Sequence, residues 1–226
     1  KGAAGGLKSL ASGLGVVGGV MLLSKVMRET FNIVKNFGQA QADLASVLGV
    51  NKENMAALTA QAKELGATTK FTASEVSNLQ LEFAKLGFTQ KEIQNVSEAT
   101  LQLAAAAGTD LANAATIVGS TLRGFNMDAT ETQRLVDVMA KSFSSSSLDI
   151  DKFATAMASV APVANNAGVS VERTTALLGT LTDRGIDASS AGTGLRNMFL
   201  ASAESGRTFE ELLAEVAGAT DQTAKS

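Results

Sequence analysis

Cysteine, histidine, tryptophan and tyrosine are all missing from this chain of 226 residues, and proline occurs once. Without cysteine there is no disulfide, no thiol nucleophile and no thiolate ligand, and the sequence carries no mark of redox compartment. Without histidine the usual general base, the Ser-His and Cys-His dyads and the commonest transition-metal ligand are gone. A Ser-Lys or two-carboxylate site stays open in principle, but no local pattern supplies one. No catalytic residue, metal ligand or cofactor is therefore assigned, and the chain is read as a non-enzyme.

Aromatics are 4% of residues, all phenylalanine, while hydrophobic residues reach 45%. A core must then be built from Ala, Leu, Val and Met. The length suffices for one large or two small domains with a sizeable core. Net charge is −3 and the isoelectric point is near 5.1. That balance excludes the clustered basic footprint of a sequence-specific nucleic-acid binder. No acidic or basic tail is present. The first residue is Lys1 rather than Met, so the chain is expected to be a processed product or the ordered piece of a longer protein.

Residues 9–24 read SLASGLGVVGGVMLLS, uncharged between Lys8 and Lys25. Sixteen residues fall short of the roughly 20 that cross a hydrocarbon core as a helix. No cleavage motif of a signal peptide follows. Ala11, Gly15 and Gly19 are spaced four apart; on a helix they share a face that lets a neighbouring helix or a membrane approach closely. They are the candidate helix-packing or membrane-contact residues. From Leu22 to Leu48 the pattern is amphipathic, with Val26, Phe31, Val34, Phe37, Leu44 and Leu48 apolar and Gly38 a weak point.

Further along, the chain repeats one piece of helix punctuation. Thr72-Ala-Ser-Glu75 has the form of a capping box, and Val76, Leu79, Phe83 and Leu86 then fall on one face before Gly87. Gly87-Phe88-Thr89, Gly168-Val169-Ser170, Gly185-Ile186-Asp187 and Gly206-Arg207-Thr208 repeat the order of stop, spacer and cap. The caps Thr72, Asp110, Asp149 and Asp187 are 38, 39 and 38 residues apart; Thr89, Asp128, Ser170 and Thr208 are 39, 42 and 38 apart. A single cap is worth about 1 kcal/mol; its agreement with apolar periodicity makes the assignment. The period predicts two-helix units of about 39 residues. Helices are expected at 72–86, 89–107, 110–123, 128–143, 149–166, 170–184, 187–204 and 208–218, after an earlier helix ending at Gly66. No strand pattern competes. Pro162 is expected to kink or interrupt its helix, and the serines 144–147 to form a polar break.

The fold expected is all-α: successive helix hairpins packed as a solenoid-like bundle behind a glycine-rich N-terminal helix. Residues 1–36 are read as a glycine-rich helix or connector, 37–204 as the helical core, and 205–226 as a terminal helix and tail leading to flanking segments.

The stretches ELGATTKFTASEV (64–76), AKLGFTQKEI (84–93), LQLAAAAGTDLANAATIV (101–118), VAPVANNAGVSVERTTALLGTLTDRGI (160–186) and SSAGTGLRNMF (189–199) occur in that order. Together, across about residues 37–199, they resemble the core region of phage tail tape measure proteins of the TP901 type. The resemblance implies a structural virion protein that lies in the tail tube or at its tip, sets tube length during assembly in the host cytoplasm, and leaves before the genome, with some members helping DNA across the host membrane. It implies tail-tube and tail-tip partners, a homo-oligomer of three or six copies, and no catalytic residues. Long coiled-coil flanks are missing here. A folded core of this length has a radius of gyration of roughly 17 Å, so it is expected to be an end-piece rather than the ruler itself. Arg184, Asp187 and Arg196 are candidate partner contacts. Alternatives are a helical-repeat scaffold or adaptor, and a pore-forming, membrane-active protein resting on residues 9–24.

Overall fold

The computed structural model describes residues 15–214, which form helices joined by short turns with no strand among them. The helices are α1 (Gly15–Leu48), α2 (Ala56–Thr68), α3 (Ala73–Lys85), α4 (Gln90–Ala107), α5 (Leu111–Gly124), α6 (Thr132–Ser145), α7 (Ile150–Asn166), α8 (Val171–Asp183) and α9 (Ala188–Ser205). Short 3-10 turns precede α2 (Lys52–Met55) and α6 (Ala129–Glu131), and residues 209–214 are helical. The all-α expectation is met.

Each predicted cap is made. Thr72 and Thr89 accept from the backbone N–H of Glu75 and Glu92, whose carboxylates accept in return from the cap N–H at 2.7 Å. Asp110, Asp149 and Asp187 accept from Asn113, Lys152 and Ser190 at 2.8, 2.8 and 3.0 Å. Asp128 accepts from Thr130, Ser170 from Arg173 and Thr208 from Glu211. The stops are equally regular. Gly87, Gly168, Gly185 and Gly206 all have φ between 66° and 84°, the left-handed conformation that ends a helix. The next residue then donates back to a carbonyl five positions earlier: Phe88 to Phe83, Val169 to Ala164, Ile186 to Leu181 and Arg207 to Ser202. Asn126, at φ 50°, takes the glycine's place after α5.

The chain divides between Ser77 and Asn78 into two compact units. In the first, α1 buries Ala40, Gln41, Leu44 and Ala45, and α2 buries Leu58, Ala62 and Leu65. A buried hydrogen-bond chain joins the helices: Gln41 donates to Ser77 at 2.7 Å and accepts from Thr59 at 2.5 Å. In the second unit each helix packs on its neighbour and on the next but one. α4 contacts α5 and α6, α5 contacts α7, α6 contacts α8, and α7 contacts α9. Ile150, Phe153, Met157, Val160 and Ala164 of α7 are all buried, as the apolar periodicity requires.

Local detail departs from the sequence expectations. The helix before Thr72 does not end at Gly66; α2 continues to Thr68. Gly66 is there because a Cβ would lie 2.5 Å from the backbone nitrogen of Ala73, so it lets the start of α3 lie against α2. α1 runs without a break through Gly38, the expected weak point. Pro162 does not interrupt α7; it falls in the last turns, where one carbonyl without an amide partner is cheaply solvated. The serine break is narrower than predicted, because α6 extends to Ser145.

Candidate interaction surfaces

The packing between helices uses glycine where a neighbouring helix comes close. A Cβ on Gly119 would meet Leu86 at 2.7 Å, on Gly124 Ala161 at 2.9 Å, on Gly179 Ser146 at 3.1 Å, and on Gly192 the carbonyl oxygen of Ala156 at 2.6 Å. Small side chains therefore set the spacing of the rows in the second unit. Polar ties cross from one repeat to the next at the surface. Asn113 donates to Asp151, Ser147 N–H to Asp183 at 2.6 Å, and Arg134 bridges Glu131 and Glu172. Arg173 pairs with Glu210 at 3.8 Å. Arg123 lies 4.3 Å from the Phe88 ring centre, donates to the Gly87 carbonyl and faces Glu92. Exposed pairs of this kind add little stability each; their geometry fixes the register of successive hairpins.

The carboxylates perturbed in the fold are chiefly structural. The Thr89 backbone N–H and then its hydroxyl hold Glu92 below the usual carboxylate range, and Thr208 does the same to Glu211. The Thr130 hydroxyl and N–H lower Asp128, the Lys152 N–H lowers Asp149, and the Ser190 hydroxyl and N–H lower Asp187. All are helix caps or members of capping boxes. An open groove of about 630 Å³ lies along α6 and α8, lined by Arg134, Asp137, Val138, Lys141, Glu172 and Ala176. Among its charged groups, Arg134 pairs with Glu172, and Asp137 accepts from Gln133 Nε2. Among the described residues no three His, Cys, Asp or Glu side chains gather as metal ligands.

The sequence-predicted contact residues separate into different roles. Asp187 caps α9, and its neighbour Asp183 is engaged by the Ser147 N–H. Arg184 is exposed at the end of α8, and Arg196 is exposed on α9 with only a long contact to Asn197 at 3.5 Å. Ala11 lies outside the described residues. Gly15 and Gly19 lie in the first turns of α1. No described helix is long and apolar enough to cross a membrane.

Among the described residues the largest exposed apolar side chains gather on α1, which the composition does not foretell. Met27, Phe31 and Val34, spaced four and three residues apart on α1, are 70%, 68% and 65% exposed. Ile33 is also exposed. Phe31 and Val34 had been assigned to the helix's apolar face, and that face is indeed continuous in sequence with the buried Gln41, Leu44 and Ala45. Among the described residues α1 runs for about 51 Å and buries side chains from Ala40 onward, so its earlier turns are left uncovered.

The sequence profile of the family described as phage-related minor tail protein matches residues 59–226. Over 164 residues the chain is 36% identical to the tape measure protein of Pneumococcus phage Dp-1, covering 72% of this chain and 14% of that protein. Over 197 residues it is 33% identical to the probable tape measure protein of Escherichia phage P2, covering 85% and 24% respectively. The chain thus spans less than a quarter of the length of these relatives. No solved structure matches it.

Proposed function

The chain belongs to the phage-related minor tail protein family, and on that premise we propose that it is the helical core of a tape measure protein, a structural part of the virion tail. The observation that carries this is the match across residues 59–226, which falls on capped helix hairpins rather than on a reaction centre. Its partners in this reading are tail-tube and tail-tip proteins and further copies of itself.

Length determination needs extended helix, because an α-helix adds 1.5 Å per residue and a hairpin returns on itself. The hairpins of residues 72–205 therefore dock rather than measure. The relatives, several times longer than the stretch matched here, have the chain to do the measuring. The exposed stripe of α1 is the face through which copies associate, three or six in a tail of matching symmetry. Exposed Arg184 and Arg196 are contacts to an acidic tail-tip surface.

Passage through a narrow tube requires unfolding. A fold without disulfides, held by many small side chains, suits this, since each buries little area. Contact of residues 9–24 with the host bilayer on delivery is the further step of this reading.

The deciding experiment is imaging of assembled tails carrying a tagged chain. Density in the tube lumen or tip supports the proposal, and tails assembled to normal length without the chain defeat it. Liposome leakage with and without residues 1–30 tests delivery separately; unchanged leakage removes the membrane step.

A further inference from the structure

One helix of the second unit presents a face that the repeat leaves uncovered. Seven and eleven residues after their caps, α5 carries Ile117 and Thr121, α7 carries Ala156 and Val160, and α9 carries Gly194 and Met198. The first two pairs are buried, because α7 packs on α5 and α9 packs on α7. Thr121 faces Ala154, Met157 and Ala161 of α7 across a small gap, and Ala156 meets Gly192 of α9. The third pair is open: Gly194 is exposed and Met198 is 39% exposed, against 0% for Val160.

Gly194 sharpens the point. Gly119, Gly124, Gly179 and Gly192 each sit against an atom that a Cβ would meet at 3.1 Å or less, whereas nothing lies within 4 Å of a Cβ on Gly194. A glycine inside a helix costs roughly 0.5–1 kcal/mol relative to alanine. At Gly192 the Ala156 backbone requires it, and at Gly119, Gly124 and Gly179 a neighbouring side chain occupies the place a Cβ would take. At Gly194 no described neighbour does.

We propose that the outward face of α9, formed by Gly194, Met198 and Ala201, is the seat of a further helix of the same repeat. The covering helix begins one period of 38 or 39 residues after the one it covers, as α7 does after α5 and α9 after α7, and so belongs to the repeat that follows the described residues. The seat on α9 is small-sided like the contact of Ala154, Ala158 and Ala161 on α7, and the relatives, several times longer than the matched stretch, have the chain to fill it. The repeat then continues past the matched core by the same small-residue contact, so the core is open for extension at this end. This holds whether or not the protein acts in tail assembly.

The absence of cysteine makes the test direct. Met198→Cys, with Ala201→Cys as a second probe, is placed in the 226-residue chain and in the chain extended through the next two helices of its gene. Maleimide labelling of folded protein is expected to be about tenfold or more slower in the extended chain, as protection by a packed helix requires. Gly194→Leu restores fast labelling in the extended chain and leaves the circular dichroism of the shorter one unchanged. Equal labelling rates, or protection that survives Gly194→Leu, overturn the proposal. Protection in the 226-residue chain that grows with its concentration also overturns it, in favour of a second copy. A gene that stops at residue 226 overturns it at once.

Discussion

At the scale of single residues, the caps and the packing glycines carry the specificity. Glu92, Asp128, Asp149, Asp187 and Glu211 are held below their ordinary range mainly by hydrogen bonds donated at helix starts. A carboxylate with a depressed folded-state pKa adds stability that is complete above its unfolded value and is lost as pH falls through the folded one. The melting temperature is therefore expected to be flat from neutral pH to about 5 and to fall below about pH 4. Asp187→Asn keeps a cap but removes the titration, so it should shallow that acid slope; a protein that melts higher on acidification contradicts the assignment. Glycines 192 and 194 make a second test. Gly192→Ala drives a Cβ to 2.6 Å from a backbone carbonyl and should cost about 1–3 kcal/mol, as overpacking does. Gly194→Ala meets nothing in the 226-residue chain and should stabilise that chain by about 0.5–1 kcal/mol. Denaturant midpoints of the two variants settle whether close approach or propensity governs each position.

At the scale of elements, helix starts and stops were legible because they are local chemistry. A cap and its acceptor lie within three residues, and a left-handed glycine needs only its own φ, so the sequence marks both. The starts of α3, α4, α5, α7, α8 and α9 accordingly fall within a residue of the predicted caps. Gly66 misled because its reason is tertiary: the Ala73 backbone that crowds it belongs to the next helix. Pro162 does not interrupt α7, because a carbonyl lost near a helix end costs far less than one lost at its centre. The exposed stripe of α1 was invisible because periodicity reports which residues share a face and not whether anything covers it. Nor does periodicity reveal the polar junction of Gln41, Thr59 and Ser77, since its partners are up to 36 residues apart. Truncating Gln41→Ala leaves the buried Ser77 hydroxyl without that donor and should cost about 1–3 kcal/mol. Hydrogen exchange should then quicken across α1 and α2 and stay unchanged in α6 through α9. Uniform quickening would show that the two units do not unfold separately.

At the scale of the whole molecule, burial lies in one stretch and the proposed association of copies in another. Residues 40–77 and 78–214 hold the buried side chains, whereas Met27, Phe31, Ile33 and Val34 project from α1 into solvent. A row of large apolar side chains left about two-thirds exposed is a cost in solubility unless another surface takes it up. Two copies laying α1 side by side would each cover Phe31 and Val34, and the 4-3 spacing of Met27, Phe31 and Val34 is that of a coiled-coil seam. Removal of residues 1–36 should therefore leave the melting transition of the rest within about 0.5 kcal/mol of its original stability, the range of surface changes. The same deletion should shift sedimentation from oligomer to monomer. Phe31→Glu, which keeps the helix but places charge in the seam, should do likewise without touching the fold. If the deleted chain still associates, the copies meet elsewhere; if it unfolds, α1 is a core helix and its apolar face answers to this chain alone.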